Sequence, residues 1–195
     1  MPNYLINKIT GLDKLSYLEL GTYDCHHFNS ILAKDKVGVD IAFNPTYKMT
    51  TDEFFRQINS YRQKDSWMWD VVFIDADHTA TSVLRDFNNC VEHLKTPGVI
   101  FLHDLYPKDR RLTAPHFCGD AYKFLDALHS MNYPDVYVQT PPTDYGLTMI
   151  LNPRLKVPAE QLKASLTYEQ FVSNVRDVTV YTPDEQEEIL HKNGW

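Results

Sequence analysis

Residues 70–78 read Asp70-Val71-Val72-Phe73-Ile74-Asp75-Ala76-Asp77-His78. A short apolar run with no polar alternation is the pattern of a strand buried on both faces. This one ends abruptly in two acids and an imidazole. Thr79 to Leu94 follows with Val83, Leu84, Phe87, Val91 and Leu94 spaced to form one apolar helix face, and Pro97-Gly98 is expected to stop it. Val99-Ile100-Phe101-Leu102-His103-Asp104 then repeats the first pattern, a buried strand closed by a histidine and an acid. A strand, a helix of this length and a second strand form a crossover unit, so the two strands run parallel.

The same alternation extends outward. Tyr17-Leu18-Glu19-Leu20 and Lys36-Val37-Gly38-Val39-Asp40 are strand-like. Asp52 to Tyr61 carries Phe54, Phe55, Ile58 and Tyr61 at helical spacing, with Thr50 and Thr51 placed to cap it and Asp52 and Glu53 suited to the positive helix end. Downstream, Asp120 to Met131 is a further helix. Asp135–Val138 and Gly146–Leu151 are strands joined across Pro141-Pro142, and a connection that short makes them antiparallel neighbours. The expected fold is α/β, a Rossmann-like three-layer sandwich whose mostly parallel sheet has one antiparallel strand near the C-terminus. Residues 1–153 form the domain. Residues 154–195 form a polar appendage packed on it, helical around Ala159–Leu166 and Pro183–His191.

Composition limits the function classes. The chain has 195 residues, 43% hydrophobic and 23% charged, which suits a folded core and excludes wholesale disorder. No apolar run reaches the roughly 18 residues of a spanning helix, and the start has no signal-peptide pattern. Cys25, Cys90 and Cys118 are odd in number and far apart, which fits free thiols in a reducing compartment and a cytoplasmic location. The net charge of −7 gives no general pull toward nucleic acid or anionic membrane, so neither is an expected partner.

Ligands of open parallel sheets bind outside the carboxyl ends of the strands. Those ends carry Glu19 with Gly21, Asp40, Asp75 with Asp77 and His78, and His103 with Asp104. Glu19-Leu20-Gly21-Thr22-Tyr23-Asp24-Cys25 is a strand-to-helix turn whose glycine admits close approach to the backbone. Asp40, about twenty residues on, is placed to accept two ribose hydroxyls, or to serve as a turn acid. The acids and imidazoles after the strands ending at Ile74 and Leu102 have three readings. They accept a proton from a substrate hydroxyl, they bind a divalent metal through Asp75, Asp104 and His103, or they cap and pair locally.

Tyr17-Leu-Glu-Leu-Gly-Thr-Tyr23, Val37-Gly-Val-Asp40, Val72-Phe-Ile-Asp-Ala-Asp-His78 and Ile100-Phe-Leu-His-Asp104 together resemble the class I S-adenosylmethionine-dependent methyltransferases. The likeness is strongest to a small bacterial-type group with Asp-x-x-His and His-Asp strand ends, related to metal-dependent sugar O-methyltransferases. It continues through Met49–Phe55, Val83–Asp86, Gly119–Lys123, Asp144–Leu147 and Leu166–Phe171. The resemblance implies a seven-stranded sheet with one reversed strand and a short third strand near Tyr47–Met49. It implies S-adenosyl-L-methionine as cofactor, with Glu19, Gly21, Thr22 and Tyr23 toward its methionine part, Asp40 on the ribose, Thr50 and Thr51 beside the adenine, and Asp75 and His78 between cofactor and acceptor. It implies Mg2+ as a further cofactor at Asp75, His103 and Asp104. Two positions depart from the family, Cys25 where a second glycine is usual and Ala76 in place of the glycine of Asp-Gly-x-His.

The expected activity is methylation of a small-molecule or sugar hydroxyl, with Asp77, His78 and His103 as base candidates. A non-catalytic S-adenosylmethionine-binding or scaffold protein is the alternative, kept open by Cys25. The short region before the first strand leaves an acceptor site that is open or completed by another subunit, so a homo-oligomer is among the expected states. Arg110, Arg111 and His116 lie in a loop suited to an anionic acceptor or to solvent. His26 and His27 suit solvated or capping roles, and Trp67 and Trp69 suit packing.

Overall fold

The computed structural model describes residues 2–61, 66–139 and 145–195. The Pro141-Pro142 turn and Asp144 lie outside them. The strands are β1 (Ser16–Leu20), β2 (Asp35–Asp40), β3 (Tyr47–Lys48), β4 (Trp69–Ile74), β5 (Leu94–His103), β6 (Val136–Gln139), β7 (Leu147–Leu151) and β8 (Val180–Tyr181). They form one sheet in the order β3-β2-β1-β4-β5-β7-β6-β8. β1, β2, β3, β4 and β5 pair parallel, whereas β7 lies antiparallel between β5 and β6. The α/β Rossmann-like reading therefore holds, with one correction. The sheet has eight strands rather than seven, because Val180 and Tyr181 pair in parallel with Val138 and Gln139. Without β8, β6 would expose an unpaired edge, and two residues are too few to show a strand period in sequence.

Residues alternate across the sheet into two cores. Leu18, Leu20, Val72, Ile74, Ile100 and Leu102 face helices α3 (Thr51–Ser60), α4 (Ala80–Glu92) and α5 (Tyr122–Ser130). Tyr17, Val71, Phe73, Val99, Phe101 and Met149 face the other side. There Leu5 and Ile6 of α1 (Pro2–Ile6) join Leu190 of α7 (Pro183–Lys192) and the buried Trp195. Two further short helices are α2 (His26–Ser30) and α6 (Tyr168–Asn174). Residues after 153 thus add a strand to the sheet and apolar side chains to the second core. No helix among the described residues is long and apolar enough to cross a membrane.

Local chemistry sets the element ends. Thr50 caps α3 through a reciprocal pair with Glu53, and Thr79 caps α4 by accepting from the Ser82 N–H. Pro97-Gly98 does not stop α4, which ends at Glu92. Both residues lie inside β5, where Trp69 pairs with Leu94 but Val71 pairs with Val99. The extra β5 residues leave the ladder there, which is where a strand tolerates proline and glycine.

One buried charge in α4 is uncompensated. Asp86 is 1% exposed, and its Oδ1 has no hydrogen-bond partner. Burial pushes its carboxyl up to about 7 against smaller opposing pulls from a Thr51 hydrogen bond and the Arg85 guanidinium. The folded protein therefore holds this proton more tightly than the unfolded chain. The group is neutral in both states at low pH and destabilises progressively as pH rises toward 7. Asp86→Asn is expected to leave stability nearly unchanged at about pH 3 and to raise it by on the order of 2–4 kcal/mol above about pH 8. Urea unfolding at both pH values checks this; a gain of the same size at both would contradict it.

Candidate active site

The site begins where β1 and β4 end side by side. The Gly21 N–H donates to the Val39 carbonyl and the Asp75 N–H to the Leu20 carbonyl, each at 2.8 Å. Gly21 has φ +86, and a Cβ there would stand 2.1 Å from the Asp75 carbonyl oxygen. Only glycine lets these two chains cross so closely. The Asp40 carboxylate spans the neighbouring turn, accepting from the Tyr23 N–H at 2.7 Å and the Ala42 N–H at 2.8 Å. Asp40 is thus a turn acid, and each of its oxygens keeps a second lone pair for a ligand.

Two adjoining spaces open along this edge. A cavity of about 250 Å3 is lined by Asp40, Thr50, Thr51, Asp52, Asp77 and Arg85, among others. A cleft of about 630 Å3 is lined by Asp75, His78, His103, Asp104, Phe117 and Tyr145, among others. Gly21, Asp40, Ile41 and Ala76 border both.

The inner end of the cleft holds two acids and two imidazoles. His103 Nδ1 lies 3.3 Å from Asp75 Oδ1 and 3.1 Å from Asp104 Oδ1. His78 Nε2 lies 3.6 Å from Asp75 Oδ1 and 3.2 Å from Asp104 Oδ2, and its Nδ1 meets the Phe117 carbonyl. The hydrogen bond to Asp75, with the charge of Asp104, raises His78 to about 9 in spite of burial. Burial pushes Asp75 the other way, but the charge and hydrogen bond of His103, with those of His78, outweigh it and bring Asp75 to about 2. Asp104 is nearly fully buried and sits in left-handed backbone, φ 65. Asp75, His78 and Asp104 offer ligand atoms within 4.8 Å of one another. The imidazole completing this trio is His78, whereas His103 bonds to both acids from the side.

Not every residue singled out in the sequence meets there. Asp77 faces the smaller cavity, and its carboxylate accepts from the Thr79 N–H at 2.9 Å. It is therefore apart from His78 and His103. Glu19 is 1% exposed and lines neither space; it accepts from the Tyr17 hydroxyl at 2.5 Å and pairs with His27 Nδ1 at 2.9 Å. Thr22 is buried beneath the loop. Arg110 pairs with Glu169 and Arg111 with Asp109, and of these three loop residues His116 alone reaches the cleft.

Residues 12–105 match a family model described as a methyltransferase domain. Two solved structures share the architecture. One is the O-methyltransferase from Bacillus cereus in complex with S-adenosylhomocysteine, with TM-score 0.55 and 15% identity over 76% of this chain and 79% of that one. The other is the O-methyltransferase TomG from Streptomyces achromogenes, involved in tomaymycin synthesis and solved with S-adenosylmethionine, with TM-score 0.51 and 13% identity over 78% and 79%. The chain has the fold of a class I S-adenosylmethionine-dependent methyltransferase. The resemblance read from the sequence is thereby borne out. No curated protein matches the chain by sequence.

Both departures from the methyltransferase family fit their places. Cys25 takes the left-handed backbone a glycine would take, φ 64, and its buried thiol donates to Thr22 Oγ1 at 3.6 Å. Ala76 needs no positive φ. The clamp on His78, by contrast, left no motif. Loop residues after β5 return to it, where the Asp120 N–H donates to the His78 carbonyl at 3.1 Å and the Asp120 carboxylate accepts from the Ala80 N–H at 2.7 Å. Gly119, φ +53, would place a Cβ 2.4 Å from the His78 carbonyl oxygen. The one sequence signal here is that Gly119 and Asp120 open the Gly119–Lys123 stretch of the family resemblance. Gly119→Ala is expected to cost roughly 2–4 kcal/mol, the sum of left-handed strain and the clash, measured by urea unfolding. A loss below about 0.5 kcal/mol would mean the loop does not press on His78.

Proposed function

We propose that this chain is an S-adenosylmethionine-dependent O-methyltransferase acting on a hydroxyl of a small molecule or saccharide. The observation that carries this reading is the adjacency of the two spaces. A cavity with three acids and two threonines meets, across Gly21 and Ala76, a cleft that ends in carboxylates and imidazoles. Asp40 keeps the lone pairs that ribose hydroxyls need, Thr50 and Thr51 border the adenine end, and Gly21 and Tyr23 border the methionine end. Glu19 and Thr22 support that loop from within.

When bound, S-adenosylmethionine supplies a methyl group on a positively charged sulfur; the acceptor oxygen forms the new O–C bond as the C–S bond breaks, and the electron pair stays on sulfur. The acceptor's proton goes to the protein. His103 is the side chain placed to take it. In its neutral form, with Nδ1 donating to Asp75 and Asp104, His103 carries its lone pair on Nε2, as in an imidazole base oriented by carboxylates. His78 donates from both nitrogens and serves the acids as their cation. Asp77 would act from the cofactor side.

The donor set also fits a divalent metal. Asp75, His78 and Asp104 bring two oxygens and one nitrogen together, and the Phe117 carbonyl orients His78 from behind as such ligands require. A metal held there, magnesium or another divalent ion, would lower the pKa of a hydroxyl bound to it. Mn2+ is expected to raise the thermal midpoint of the wild type but not of Asp104→Asn, and a chelator to abolish turnover that added Mg2+ or Mn2+ restores. Turnover indifferent to chelator, with no thermal shift, leaves the base-only mechanism.

Incubation with methyl-labelled S-adenosylmethionine and a panel of hydroxylated acceptors tests the activity itself. Transfer is expected, and Asp40→Ala is expected to weaken S-adenosylhomocysteine binding by about 1–3 kcal/mol in calorimetry. A chain that binds the cofactor but transfers to nothing would instead be a binding or scaffold protein. Unchanged affinity in Asp40→Ala would remove the ribose assignment.

A further inference from the structure

We infer that the acceptor held by the cleft is a flat, uncharged aromatic alcohol, laid against a wall of rings that leads from the cleft mouth to the reactive cluster. The inference rests on the methyltransferase reading of that cleft and narrows its acceptor class.

The wall is continuous. The His103 and Tyr145 rings are 6.3 Å apart, Tyr145 and Phe117 6.1 Å, and Phe117 and His116 4.4 Å, all at tilted or edge-on angles. These separations are those of interacting aromatic rings. Its inner end is His103, in contact with Asp75 and Asp104, and its outer end is the exposed His116. Tyr23 also lines the cleft, with Phe43 packed edge-on against it at 5.2 Å. These two rings are 70% and 50% exposed, and both sit on left-handed backbone, φ 44 and φ 48. Non-glycine residues in that region cost on the order of 1–3 kcal/mol each. Holding exposed rings on strained backbone contributes little to folding and points instead to a ligand.

The described polar lining favours this acceptor over the other classes. Among the described residues around the cleft there is no Lys, Arg, Ser, Thr, Asn or Gln. The polar side chains among those described residues are the ones of the reactive cluster, Asp40, His116 and the two tyrosines. A saccharide carries a hydroxyl on nearly every carbon, and each one desolvated without a partner is costly. An anionic acceptor would approach Asp40, Asp75 and Asp104 with no Lys or Arg among the described lining residues to receive it. An aromatic ring needs only apolar faces, and its single hydroxyl reaches the one place rich in hydrogen-bonding groups.

The test uses the whole chain saturated with S-adenosylhomocysteine and two neutral probes, 2,3-dihydroxynaphthalene and methyl α-D-glucopyranoside, read by saturation-transfer NMR and calorimetry. The naphthalenediol is expected to bind and the glucoside not. Phe117→Leu and Tyr145→Leu, which keep bulk but remove the ring, are expected to weaken the naphthalenediol by about three- to tenfold each. Phe43→Gly is expected to weaken it as well while raising the thermal midpoint, which separates binding from folding. Preferential binding of the glucoside, or naphthalenediol affinity indifferent to both leucine variants with circular dichroism unchanged, would overturn the inference. Absence of S-adenosylhomocysteine binding would overturn the cofactor reading instead, and naphthalenediol binding that still tracks Phe117 and Tyr145 would identify the wall independently of it.

Discussion

Two carboxylates, Asp75 and Asp104, are set side by side at the ends of adjacent buried strands, and they require positive charge close at hand. Two acids in such a place cannot both ionise unless a cation lies between or beside them. His78 supplies that charge and His103 adds a hydrogen-bonding Nδ1 beside both acids, and Asp75 lies well below the ordinary carboxylate range as a result. Most of the surrounding architecture holds the imidazoles in position. The Phe117 carbonyl fixes one nitrogen of His78, Asp120 ties the His78 carbonyl, and Gly119 allows the loop to come that close.

The same loop supplies the cleft with its wall. Phe117 orients His78 through its backbone and lines the cleft with its ring, so one residue links the electrostatics of the cluster to the shape of the acceptor space. Part of the backbone strain gathers there too, apart from the turn residues Asn132, Asp135 and Asn152. Tyr23, Cys25, Phe43 and Asp104 all adopt left-handed backbone, and all four belong to the cluster or to the loops around it. Free energy spent on such conformations is recovered from the rigid sheet beneath, whose central strands are buried on both faces.

The helices on either face serve unequal purposes. The α3–α4–α5 face carries the larger core and, through the cap at Thr50, borders the smaller cavity. The opposite face is closed by the two ends of the chain, with Leu5 and Ile6 meeting Leu190 and Trp195. Asp86 lies inside the first face as an acid whose burial is not offset by a partner on Oδ1, a local sacrifice of stability close to Thr51.

The sequence by itself determined the parallel sheet, its reversed strand and the strand ends that carry chemistry. Those features depend on local periodicity and on short-range chain connection, which a linear pattern records. Asp75, His78, His103 and Asp104 were legible for the same reason, since each directly ends or follows an apolar run. Only the tertiary structure decided that Asp77 faces the other cavity, that Glu19 is spent on Tyr17 and His27, and that Val180–Tyr181 extends the sheet. It alone brought Phe117 and Gly119 onto His78, some forty residues away along the chain. Such contacts arise from how loops return over a sheet edge. They leave no period in the sequence, because their partners are chosen by proximity in space and not by spacing along the chain.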